Sequence, residues 1–94
     1  MKTYRIHVDH HSTHDIDIKK MGKYGLMIRP DETGGWDGCR VHQLASDKEL
    51  RDALEKLGYK PDEITYAFEM LADKKSSWAG MTDLDEATVA ALGF

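Results

Sequence analysis

Thiols are nearly absent from this chain: Cys39 is the only cysteine among 94 residues. An internal disulfide and a four-cysteine zinc site are therefore excluded, and the lone thiol accords with a reducing cytoplasm. Proline is almost as scarce, with Pro30 and Pro61 the only two, so each reads as a boundary. No apolar run approaches the ~18 residues of a membrane-spanning helix, so no membrane association is expected. The opening stretch, residues 1–11, has one early lysine and no apolar core, and does not read as a secretory signal. The familiar catalytic patterns are missing too. There is no HEXXH, no paired CXXC and no G-x-S-x-G, and "TGGWDG" (33–38) lacks the GK[ST] ending of a phosphate loop. Cys39 and His42 lie three apart in an extended stretch, which turns them to opposite faces. These absences speak against an enzyme.

What is present begins with charge. The formal net charge is −4, unevenly spread. Residues 1–45 carry seven basic and six acidic side chains, and residues 46–94 carry six and eleven. The acidic half would repel a phosphate backbone, so direct binding of duplex nucleic acid is not expected. It suits a protein partner with a basic surface, including one that normally holds nucleic acid. At 32% charged and 40% apolar, the composition is that of a soluble globular chain, and its length implies one domain over 1–94.

Patterning changes once, near Ser46. Before it, apolar residues alternate. Tyr4, Ile6 and Val8 share one face of "TYRIHVD", and Ile16 and Ile18 share one face of "HDIDIK". These two segments predict a hairpin, in a register that sets Arg5 opposite Asp17 and His7 opposite Asp15. "YGLMIRP" and "CRVHQLA" predict two further strands, with Val41 turned inward. After Ser46 the spacing is helical. "SDKE" is a capping box in which Ser46 and Glu49 satisfy each other's end of the turn. Leu50, Ala53, Leu54 and Leu57 recur at i, i+3, i+4, i+7 before Gly58 stops the helix. Pro61 opens a second helix, with Ile64, Ala67, Phe68 and Leu71 as its buried stripe. "SSWAGM" reads as a loop, and Thr82 or Asp83 as the cap of a last helix. The fold class expected is α+β: a four-stranded, mainly antiparallel sheet over residues ~2–45, then helices at ~47–57, ~61–74 and ~83–92 packed on one face.

Two surfaces stand out. The first is "HVDHHSTHDID" (7–17), with four of the chain's five histidines. His7, Asp9 and Asp15, completed by His10, His11 or His14, have the donor types that zinc or nickel takes when cysteine is absent, although the spacing matches no established motif. A metal-binding or metal-sensing protein is thus one reading, with a solvated polar hairpin tip as the plain alternative and no cofactor at all as the base expectation. The second surface is aromatic. Trp36 in "GGWDG" and Trp78 in "SSWAG" are flanked by small residues on expected loops, where tryptophan anchors interfaces.

The segment "LEKLGYKPDEITYAFEML" (54–71) resembles the first two helices of ubiquitin-associated-like domains through Leu54, Leu57, Gly58, Tyr59 and the Pro61-Asp62-Glu63 helix start. In that family the glycine-aromatic turn and a third helix form a protein-binding surface, which the resemblance carries to Gly58 and Tyr59, next to the acidic Asp62 and Glu63. The leading expectation is a cytoplasmic protein-binding module, a stoichiometric inhibitor or adaptor working through Trp36, Trp78, Gly58, Tyr59, Asp62 and Glu63; one form of it would block a basic nucleic-acid-binding surface, as phage-encoded inhibitors of bacterial defence systems do. A homo-oligomeric structural subunit is the third reading.

Overall fold

In the computed structural model of the chain, residues 2–10, 23–32, 40–73 and 75–91 are described. Their elements run β1 (Lys2–His10), β2 (Tyr24–Pro30), β3 (Arg40–Leu44), α1 (Asp47–Lys56), α2 (Pro61–Met70), β4 (Trp78–Leu84) and α3 (Glu86–Ala91). The strands form a four-stranded sheet in the order β3-β2-β1-β4, antiparallel at every junction. This is the α+β class that the change of periodicity at Ser46 predicts.

The fourth strand, however, comes from the segment expected to be a loop. β4 pairs with β1 along its length, Val8 opposite Trp78 and Lys2 opposite Leu84, while β2 takes the other side of β1, Tyr4 opposite Pro30 and His10 opposite Tyr24. The expected strand at 14–19 lies outside the described residues. Its expected ladder with β1 does not form, because both edges of β1 are occupied: His7 sits between Met27 and Ala79, and Arg5 between Arg29 and Met81. The His7–Asp15 and Arg5–Asp17 cross-strand pairs are therefore corrected.

β4 escapes a pattern reading because its helix-facing positions are Trp78, Gly80, Thr82 and Leu84, two of them small or polar, so the apolar alternation is faint. Thr82 is not a cap. Its hydroxyl donates to the Leu57 carbonyl at 3.1 Å, tying β4 to the end of α1. The cap of α3 is Asp85, whose carboxylate accepts from the Thr88 amide at 2.6 Å. Hydrogen bonding from the Thr88 side chain, and secondarily from its amide, holds the Asp85 carboxyl below its ordinary range.

One hydrophobic cluster joins sheet and helices: Tyr4, Ile6 and Val8 of β1, Tyr24, Leu26 and Ile28 of β2, and Leu44 of β3 meet Leu50, Leu54, Leu57, Ile64, Ala67, Leu71 and Val89. The apolar stripes read from α1 and α2 face this core, with Ala53 and Phe68 only partly buried against it. Val41 is a correction. It stands 53% exposed, because Leu44 turns inward against Tyr24 and strand alternation then sends position 41 to the far face. At the start of α1, Ser46 accepts from the Glu49 amide, and Glu49 reaches back to the Ala45 amide at 2.6 Å, one residue beyond the expected box. α2 ends at Met70 instead of ~74. It is followed by β4, so the third helix of a ubiquitin-associated-like arrangement does not follow the pair.

Candidate interaction surface

The turn between α1 and α2 places the first functional side chain. Gly58 adopts φ +95°, a left-handed conformation that costs a residue with a Cβ ~1–2 kcal/mol. It lets the Gly58 amide donate to Glu55 and the Tyr59 amide to Leu54, at 2.9 and 3.1 Å. This pair of bonds is the Schellman closure of a helix. It turns the chain so that the Tyr59 ring packs on the core and meets Trp78 edge-on, with centroids 5.2 Å apart. Gly80 makes room for that crossing: a Cβ there would come within 2.8 Å of both the Trp78 ring and the Tyr59 hydroxyl.

That hydroxyl is buried and makes no hydrogen bond among the described residues. Loss of solvation, with a smaller contribution from the nearby Glu63 carboxylate, pushes the phenol up to about 12. It therefore stays a neutral donor throughout the physiological range.

On α2, Tyr66 is the helical neighbour of both Asp62 (i, i+4) and Glu63 (i, i+3), and all three border the side toward β4. Tyr59, Asp62, Glu63, Tyr66, Trp78, Gly80 and Met81 line a cleft of about 370 Å³ between them. Tyr66 and Met81 are 56% and 51% exposed, while Trp78 forms the buried floor. Glu63 has a structural task as well, accepting from the Lys60 amide at 2.9 Å and closing the first turn of α2 behind Pro61. Among the described residues neither Asp62 nor Glu63 forms an ion pair, and no lysine or arginine lines the cleft. A larger groove of about 590 Å³ lies by α3, but its lysine and glutamate, Lys2 and Glu86, pair with each other at 3.2 Å. The cleft beside β4, by contrast, holds two carboxylates that form no ion pair among the described residues.

Of the residues singled out from sequence, Tyr59, Asp62, Glu63 and Trp78 converge on this cleft. Gly58 acts behind it through the backbone, and Trp36 lies outside the described residues. Trp78 is corrected in its setting. It is a strand residue, 6% exposed and part of the core, not a projecting loop anchor. Tyr66, Gly80 and Met81 were missed. The one usable signal was Tyr66, an aromatic standing off the apolar stripe of its helix.

The histidine segment divides by strand alternation. His7 and Asp9 point to the face away from the helices and pair at 2.9 Å. His10 points to the other face, where it is buried, lies 5.0 Å from the Tyr24 ring, and approaches the Leu71 carbonyl at 2.6 Å through Nε2. Only a protonated Nε2 can donate to a carbonyl, so this bond selects the tautomer, and it satisfies an orphan acceptor at the end of α2. His10 therefore does not join His7 and Asp9 around an ion. His11, His14 and Asp15 lie outside the described residues. Among the described residues no three His, Cys, Asp or Glu side chains stand together as a metal site, and no helix is long and apolar enough to cross a membrane. No family model, curated protein or solved structure matches the chain.

Proposed function

We propose that this protein is a small interaction module, acting stoichiometrically as an inhibitor or adaptor in a reducing cytoplasm, which takes an extended segment of another protein along β4. One observation supports the reading above others: among the described residues β4 is a seven-residue outer strand whose helix-facing side opens onto the aromatic and acidic cleft. An outer strand presents backbone N–H and C=O groups that one more strand can satisfy. Protein edges are commonly guarded by lysine, proline or a bulge. "WAGMTDL" has neither lysine nor proline, and Asp83 is its only charge. A strand laid beside it would send alternate side chains toward the helices, over Tyr66 and the two carboxylates. The acidic second half of the chain favours a partner whose surface is basic.

Photo-crosslinking tests this. With p-benzoylphenylalanine placed at Tyr66, at Met81 and, as a control, at the exposed Lys48 of α1, one host protein should be captured from the first two positions and not from the third. Capture from Lys48 alone, or from none of the three, would sink the reading. An adduct of the chain with itself would replace it with a homo-oligomeric subunit.

A further inference from the structure

The geometry points to an arginine side chain of the partner's extended segment as the group that fills the cleft between α2 and β4. This rests on the interaction reading above and names the chemistry of its occupant. The cleft walls combine an exposed tyrosine ring, Tyr66, with the carboxylates of Asp62 and Glu63 one turn earlier on α2, facing β4 at Gly80 and Met81. Neither carboxylate has a cationic partner among the described residues. A planar guanidinium can lie on an aromatic face while its N–H fork engages a carboxylate, whereas a lysine ammonium is a compact, strongly hydrated point charge that cannot do both.

The opposing effect is the amino end of α2, which carries about +0.5 of an elementary charge. Two full negative charges outweigh it, so the site as a whole attracts a cation. A second copy of this chain fits poorly there, since it would bring the same carboxylates and a net charge of −4 toward each other. The strand geometry adds the constraint of spacing. Neighbouring strands run ~4.8 Å apart, so a partner strand on β4 would carry an inward-pointing long side chain beside Gly80, over the Trp78 and Tyr59 side chains that fill the space a Cβ would take there.

The test is a titration of the isotopically labelled full chain, followed by NMR, with the blocked peptide Thr-Val-Arg-Val-Thr. Counterparts carry lysine, citrulline or glutamate at the centre. Citrulline keeps the shape of arginine and removes its charge. The arginine peptide should shift the Gly80 amide and the Trp78 indole N–H and bind about tenfold more tightly than the citrulline peptide. Lysine should fall between, and raising the salt should weaken the arginine peptide most. The double variant Asp62→Asn with Glu63→Gln keeps an acceptor for the Lys60 amide, so it should fold normally and reduce arginine to the citrulline level. Equal binding of arginine and citrulline, equal binding of the double variant, or no shift at about 10 mM peptide would overturn the proposal. If crosslinks from Tyr66 and Met81 still capture a partner in that event, the interaction reading survives and only its arginine is wrong.

Discussion

Tyr59 carries a buried hydroxyl that has no hydrogen-bond partner among the described residues. An unsatisfied buried polar group costs ~1–3 kcal/mol, so Tyr59→Phe should leave the fold as stable as before or raise its unfolding free energy by about 1 kcal/mol in urea titration. The same group sets a pH dependence. Its folded-state pKa of about 12 lies above the ordinary tyrosine value near ~10. Below about pH 10 both states hold the proton and stability is unaffected. Between the two values the unfolded chain releases it first, so stability falls as pH rises through that window. Melting temperatures taken from pH 9 to 11 should therefore fall less steeply in Tyr59→Phe than in the parent. A parallel decline would mean that the phenol ionises as readily in the fold as outside it.

At the scale of elements, two glycines act in different ways on the same cleft. Gly58 is needed for its left-handed backbone: Gly58→Ala meets no neighbouring atom, and its expected loss of ~1–2 kcal/mol is purely conformational. Gly80 is needed for its missing side chain. Gly80→Ala forces Trp78 or Tyr59 to move, and overpacking of this kind costs ~1–3 kcal/mol. Chemical denaturation ranks the two, and near-UV circular dichroism separates them, since only Gly80→Ala should alter the tryptophan signal. The start of α1 gives a third check. Ser46→Ala removes the acceptor for the Glu49 amide and should cost ~1 kcal/mol. No loss there would mean that Glu49, through the Ala45 amide, closes the turn alone.

For the whole molecule, the decisive comparison is between two aromatics on one cleft. Trp78 belongs to the shared core, so Trp78→Ala should lower stability by ~3–5 kcal/mol, and a domain of this size has little to spare. Tyr66→Ala sits on the surface and should change stability by less than ~0.5 kcal/mol while weakening partner capture. Thermal melts and crosslinking yields on both variants read this directly. If Tyr66→Ala melts like the parent and captures its partner as well, the cleft is not the working surface. The core stripes of α1 and α2 and the inward face of β1 were legible beforehand, since each lies within one element with strong apolar periodicity. Trp78 was misplaced because small neighbours resemble a loop whether the strand that contains them is paired or not.

What the chain's own residues determined is local: strand and helix periods, the Ser46 cap, the Gly58 stop, the Pro61 start, and the acidic character of the second half. Each follows from contacts within a few positions, where side-chain spacing and backbone preference act without help. Which strand lies beside β1 was decided only by the tertiary structure. "WAGMTDL" is a weak strand by itself and becomes one because β1 supplies its ladder and the helices cover Trp78 and Leu84. The same packing brings positions 59, 62, 63, 66, 78 and 81 to one cleft. Their closeness is a property of how α2 and β4 are both held against a shared core, and no spacing along the chain encodes it.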